Sequence, residues 1–334
     1  MSDIINMKKI RLKYVDWWDG FQPEQYRFHQ ILTKHFDIEI SDEPDYIIAS
    51  VYSDEAKSYN CVRILYTGEN ICPDFNIYDY AIGFEYLEFG DRYIRIPNFI
   101  MNPAYDIDIQ KALSKHLLSA DDIKREKKFC SFVVSNGNAA PIREKMFEEL
   151  NKYKRVDSGG RYLNNIGRPE GVRDKFAFQS EHKFSLTFEN SAHLGYTTEK
   201  LLQGFSAGTI PIYWGDPAVE NCFNPKAFIN ISGNNVYDAI ELVKEVDTQD
   251  DLYFSMLREP AFLNNDYQTK LLEKLDNFLV HIFNQPLECA YRRNSFEHIS
   301  NKSVLNEFVK EDRGRFSQWI SNKARCFYGK RKNK

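Results

Sequence analysis

One stretch of this chain, residues 184–231, leaves little freedom in what it can fold into. The apolar run Phe184–Phe188 ends in Glu189-Asn190. A polar loop containing Gly195 follows, and Thr197-Thr198-Glu199-Lys200 then opens an apolar-periodic segment. A threonine in that position reads as a helix N-cap, because its hydroxyl can accept from free backbone N–H groups. A second strand, Thr209–Trp214, stops at the tight loop Gly215-Asp216-Pro217. Strand, helix start and strand in this order predict a parallel sheet with both loops on one edge. A helix N-terminus on that edge presents unpaired donors and partial positive charge, which suits a phosphate. The residues alone therefore specify an α/β ligand site.

The rest of the chain repeats the pattern. Strands are expected at Lys9–Val15, Phe36–Ile40, Tyr46–Ser50, Val62–Thr67, Tyr80–Phe84 and Tyr93–Ile96, with helical spacing over Tyr26–Phe36. The first strand runs into the loop Asp16-Trp17-Trp18-Asp19-Gly20, and Val62–Thr67 ends abruptly in Gly68-Glu69-Asn70. Alternating strands and helices imply βαβ units whose ligands sit at the carboxyl ends of the strands. A chain of 334 residues exceeds one ordinary domain and suffices for two. The charged run over 110–128 reads as a solvated helix or linker and marks a boundary. The expected division is residues 1–122, residues 123–300, and a helical, basic tail over 301–334. The second unit begins with a strand over Phe129–Ser135 and a helix over Pro141–Tyr153, with proline tolerated in the first turn. From Tyr237 to Phe283 the pattern is mostly helical, and no internal repeat is found.

Bulk properties exclude several classes. A net charge of −4 argues against electrostatic capture of nucleic acid. Six cysteines with no CxxC pair point to reduced thiols rather than to zinc or a disulfide framework. No apolar run has the length of a membrane span, and the N-terminus lacks a signal-peptide core, so a cytoplasmic location is expected. The tail after Trp319 carries Lys323, Arg325, Lys330, Arg331, Lys332 and Lys334 without an acid. It either rests on the anionic inner face of a membrane, at roughly 1 kcal/mol per basic residue, or is a frayed soluble terminus. Asp106-Ile107-Asp108 is formally a metal–nucleotide D-x-D, but no hydrophobic strand precedes it. It reads as acids in a helix first turn, and no metal site is expected. His193 reads as incidental to the loop that contains it.

The segment FEN, at Phe188–Asn190, with TEK at Thr198–Lys200 and IPIYWGDPAVENCFNPKAFINI beyond it, resembles the signature of family 10 glycosyltransferases, the α-1,3/4-fucosyltransferases. Leu65–Pro97 and Phe132–Tyr153 look like the bacterial, Helicobacter-type members, and Asp16–Trp18 extends the similarity over most of residues 8–235. The resemblance implies the α/β GT-B arrangement, two Rossmann-like domains facing across a cleft. It also implies inverting transfer of L-fucose from GDP-β-L-fucose to the 3-hydroxyl of N-acetylglucosamine in lactosamine-type glycans. A Lewis x-like product, on a lipopolysaccharide O-antigen, is the family-level expectation. No cofactor is required in this reading, because side chains replace a metal at the diphosphate.

Roles follow residue by residue. A carboxylate at the end of a buried strand, flanked by glycine, can project into a cleft with a moderately raised pKa. By itself Glu69 reads as a loop acid, and the resemblance makes it the general base. Arg143 offers a planar fork and Lys200 a point charge to the diphosphate, although Arg143 by pattern alone is a surface helix residue. Glu199 accepts from donor hydroxyls and steadies oxocarbenium-like charge, or simply complements the helix N-terminus. Tyr196 contacts the nucleotide or is packed. Glu189 and Asn190 sit at the strand end beside the cleft and are expected among the donor-binding residues, although Asn190 could equally hold the loop. Trp17 and Trp18 form an acceptor platform; adjacent tryptophans diverge, so one is expected to touch substrate and the other to join the core. Two rivals stand: a transferase of this architecture using another nucleotide sugar, and a non-catalytic glycan- or nucleotide-binding protein.

Overall fold

Runs rich in β-branched and aromatic residues with no polar alternation are what a strand covered on both faces requires. In β3 (Tyr46–Ala49), β4 (Val62–Tyr66) and β5 (Tyr80–Gly83) every residue is buried. With β1 (Lys9–Val15), β2 (Asp37–Ile40) and β6 (Tyr93–Arg95) they form a six-stranded sheet, ordered β2-β1-β3-β4-β5-β6, with all pairs parallel. The computed structural model describes residues 7–117, 126–233 and 235–293. The basic tail, and much of the charged run expected as a linker, lie outside the described residues.

A second parallel sheet holds β7 (Lys128–Phe132), β8 (Val156–Ser158), β9 (His182–Leu186), β10 (Ile210–Tyr213) and β11 (Ile229–Asn230), in the order β11-β10-β9-β7-β8. Its core joins Phe132, Phe184, Leu186, Ile210 and Ile212 to Met146 and Leu150 of the helix Ile142–Tyr153, and to Val243 and Val246 of the helix Val236–Thr248. Both sheets belong to one compact unit that ends at Tyr291. The α/β architecture with two parallel sheets is thus the expected one.

Two helices depart from a simple division by sequence. The helix Glu199–Ser206 follows β9 in the second sheet, yet Leu201, Leu202 and Phe205 pack into the core of the first, beside Phe99 and Ile100. The helix Tyr267–Asn284 falls within the expected span 123–300 but also lies on the first sheet. Its Leu271, Leu275, Leu279 and Ile282 join that core, and the Phe283 ring sits 4.5 Å from Tyr46. Asp106 helps to hold it, since one carboxylate oxygen accepts from Gln268 Nε2 at 2.7 Å and the other from Arg27. Asp108 accepts from Ser206 Oγ. The D-x-D carboxylates are therefore engaged in tying helices together.

Candidate active site

The loop between β9 and the helix Glu199–Ser206 is built by contacts that only certain residues allow. Gly195 has φ +87°, and a Cβ there would lie 2.4 Å from the Phe84 carbonyl oxygen at the end of β5. Both its conformation and its approach to the first sheet exclude a side chain. Asp216, fully buried after β10, fixes the loop from behind: its carboxylate accepts from Gly195 N at 2.7 Å, Thr197 Oγ1 at 3.0 Å and Ala218 N at 2.8 Å. Gly215 has to lack a side chain too, since a Cβ would stand 2.5 Å from Glu189 Cγ.

Glu189 is wholly enclosed and accepts from Thr198 N at 2.8 Å, Thr198 Oγ1 at 2.7 Å and Lys200 Nζ at 3.1 Å. The expected threonine cap is therefore different in kind. Thr198 occupies the N-cap position, but its hydroxyl goes to Glu189 instead of the helix and accepts from Lys200 at 2.8 Å. A buried carboxylate is a stronger acceptor than a hydroxyl and must be satisfied, so it captures the donors at this corner. Lys200 also lies 3.6 Å from Glu199.

Charge in this cluster is interdependent. Burial raises the Glu189 pKa, and Lys200 only partly offsets it. For Glu199, burial works in the same direction, but Lys200 and Lys175 prevail and the net shift is downward. Burial opposes the charge on Lys200, yet Glu189 and Glu199 overcome it and push its pKa up. Lys175, at the start of the helix Lys175–Ser180, donates to Gln203 Oε1 at 2.6 Å. Sequence reading passed over Lys175, because nothing local marks a lysine as the second cation beside Glu199.

Arg143 is buried at 1% exposure, unlike the surface arginine its helical position suggests. Its guanidinium donates to Asn190 Oδ1 at 3.0 Å and to the Asn136 carbonyl. The Asn190 carbonyl accepts from Ala140 N at 2.8 Å, so Asn190 holds both the loop and the arginine. Tyr196 is buried, 5.0 Å edge-on from Phe84, and its phenol is pushed upward by burial and by Glu189, with Lys200, Glu69 and Glu199 in electrostatic reach.

The first sheet meets this loop through its own strand ends. Asn70 Nδ2 donates to Ser191 Oγ at 2.8 Å, His193 Nε2 lies 2.8 Å from Glu85, and Arg95 Nη2 donates to the Gly195 carbonyl at 3.5 Å. Glu69, next to Asn70, is exposed; its carboxylate accepts from Tyr52 OH at 3.0 Å. Trp17 and Trp18 part company as adjacent tryptophans should. Trp17 stacks on Phe21 at 3.7 Å and donates its indole N–H to the Ile48 carbonyl, whereas Trp18 is 38% exposed and meets Tyr52 edge-on at 5.4 Å. The fold brings Glu69 and Trp18 to one side of this junction and Glu189, Asn190, Tyr196, Glu199, Lys200 and Arg143 to the other. Trp17 is in the aromatic core.

No helix among the described residues is long and apolar enough to cross a membrane. Residues 12–102 match the alpha-(1,3)-fucosyltransferase FucT N-terminal domain family, and residues 123–259 match the C-terminal region of glycosyltransferase family 10 (fucosyltransferase). The chain is 32% identical to an alpha-(1,3)-fucosyltransferase of Helicobacter pylori, covering 86% of this chain and 68% of that protein. It is 33% identical to a putative fucosyltransferase of Acanthamoeba polyphaga mimivirus, over 64% of this chain and 36% of that one. Among solved structures it is similar to an alpha1,3-fucosyltransferase with GDP-fucose, with TM-score 0.69, 30% identity and 86% and 94% of the two chains covered. The same comparison with a GDP complex gives TM-score 0.69. The two matched families, the identity across the chain and the shared fold agree: this chain belongs to glycosyltransferase family 10, the fucosyltransferases.

Proposed function

We propose that the protein is an inverting α-1,3-fucosyltransferase moving L-fucose from GDP-β-L-fucose to the 3-hydroxyl of N-acetylglucosamine in lactosamine-type glycans. The observation that carries this reading is the junction itself. An exposed carboxylate beside the first sheet adjoins a loop with the half-buried Lys200 at a helix N-terminus and the buried Arg143 held by Asn190. In this reading residues 1–122 supply the acceptor side and residues 123–300 the donor side, with the helix Tyr267–Asn284 returning to the first sheet.

Glu69 takes the proton from the acceptor 3-hydroxyl as its oxygen attacks the anomeric carbon. The bond from that carbon to the β-phosphate oxygen breaks on the opposite face, so a β-linked donor gives an α-linked product. Negative charge grows on the departing GDP, and Lys200 and Arg143 stabilise it more in the transition state than in the ground state. Glu199, held ionised by Lys200 and Lys175, accepts from sugar hydroxyls and steadies developing positive charge. Glu189 acts indirectly by fixing Lys200, Asn190 acts by fixing Arg143, and Tyr196 lines the nucleotide side. Trp18 offers an aromatic face to the acceptor.

The test is transfer from a panel of GDP- and UDP-sugars onto type 1 and type 2 disaccharides in EDTA. Product from GDP-fucose and N-acetyllactosamine is expected. Activity that vanishes in EDTA and returns only with Mn²⁺ would contradict the metal-independent part, and no product from any donor would favour a binding protein. Sedimentation with anionic vesicles, lost on removal of 301–334, tests contact of the basic tail with a membrane.

A further inference from the structure

We propose that Tyr52 is a positioning residue for the reaction, donating a hydrogen bond that fixes the rotamer of Glu69 and aims its free carboxylate oxygen at the acceptor. The proposal rests on the reading of Glu69 as general base and extends it to a residue outside the signature segments. Tyr52 lies in the loop after β3, and its hydroxyl is 3.0 Å from Glu69 Oε1. Glu69 stands on an exposed loop after β4, and its backbone is engaged by Thr67 Oγ1 and Ile71 N at 2.9 and 2.7 Å. Its side chain is held by Tyr52.

The support for Tyr52 is itself built. Asp16 adopts φ +59°, a conformation rare for residues other than glycine. There its carbonyl accepts from Tyr52 N at 3.0 Å, while its carboxylate accepts from Glu55 N at 2.7 Å, Ala56 N at 3.0 Å and the Ser53 hydroxyl. One buried aspartate at the end of β1 thus organises the loop that carries the tyrosine. Trp18 backs the Tyr52 ring edge-on from the same segment. The sequence D-W-W therefore reaches the base through two residues, Asp16 and Trp18, that both act on Tyr52.

A phenol that donates to a carboxylate stabilises the charged form and lowers its pKa. On the tyrosine, burial and then the Glu69 charge push the phenol up to about 12. Other titratable groups that feel Glu69 are Tyr66 from β4 and Tyr196 from the signature loop. Both are pushed upward and stay neutral around neutral pH. Tyr196 also feels Lys200, Glu189 and Glu199 from the second sheet.

The experiment is the pH profile of kcat/KM for full-length wild type, Y52F and Y52A, with E69A and the Y52F/E69A pair alongside and thermal melts of each. Y52F is expected to move the acidic limb to higher pH, with a several-fold loss on the plateau and an unchanged melt. In the E69A background Y52F should cost nothing further, because the two residues act as one unit. An unmoved limb with losses that add to those of an inactive E69A overturns the role of Tyr52 alone. E69A turning over near the wild-type rate overturns the general base, and this role with it. If Y52A melts early, Y52F, which keeps the ring, decides.

Discussion

The two sheets present their strand ends in opposite ways. Beyond the second sheet Glu189 is fully enclosed with three donors, Asp216 accepts three hydrogen bonds, and Arg143 lies at 1% exposure between Asn190 and Asn136, with Glu199 and Lys200 half-buried beside them. Beyond the first sheet Glu69 and Trp18 are exposed, and Tyr52 is half exposed. The contrast suits the proposed reading, in which the second-sheet side would hold a diphosphate and the first-sheet side a glycan acceptor. A diphosphate is one fixed, highly charged shape, so cations pre-organised in a low-dielectric corner stabilise it without reorganising. A glycan acceptor is a neutral ligand that enters from solvent, and an exposed aromatic face and a solvated carboxylate suit that task. The second-sheet side is cross-linked by several buried hydrogen bonds; the first-sheet side relies on a chain of contacts running from Asp16 through Tyr52.

The largest break in this contrast should come from Lys200→Ala. Removing one partner of a buried ion pair leaves Glu189 uncompensated, a change worth about 3–5 kcal/mol, so the melt should fall sharply and donor binding with it. Glu69→Ala should leave the melt in place and lower kcat by roughly 100-fold or more, as expected for an exposed base on which no packing depends. Glu189→Gln separates charge from shape by pH. The Glu189 pKa is raised by burial, so between the usual glutamate value and its folded one the folded state keeps a proton that the unfolded state has lost. Stability from this group therefore falls as pH rises through that window, and urea titrations should show the slope in wild type but not in the variant. Trp18→Ala is the mildest change, expected to raise the acceptor KM several-fold while leaving GDP binding and the melt unchanged.

Lys9–Val15, which alternates exposed and buried residues at its start, matches the expected strand, and Tyr46–Ala49 and Val62–Tyr66, each ending one residue short of the expected strand, were legible because they are buried on both faces. The three-residue edge strand Val156–Ser158 and the two-residue Ile229–Asn230 were not, since so few residues carry no periodicity. The helix start at Thr198 could be read from the residue type, but the destination of its hydroxyl could not, because Glu189 reaches it only after the loop has folded back. Arg143 looked like a surface residue because helical position says nothing about the loop 136–140 that covers it. Tyr52 carries no local signal at all; its partner is seventeen residues away and joined through space. Resemblance supplied Glu69 and Arg143, which spacing alone would have passed over.

The division between a pre-formed donor corner and an open acceptor side is tested most directly by calorimetric titration of GDP into wild type, Glu69→Ala and Lys200→Ala. The account predicts wild-type affinity in Glu69→Ala, despite its lost turnover, and severely weakened binding in folded Lys200→Ala. Equal loss of GDP affinity in both variants, or none in Lys200→Ala, would contradict it.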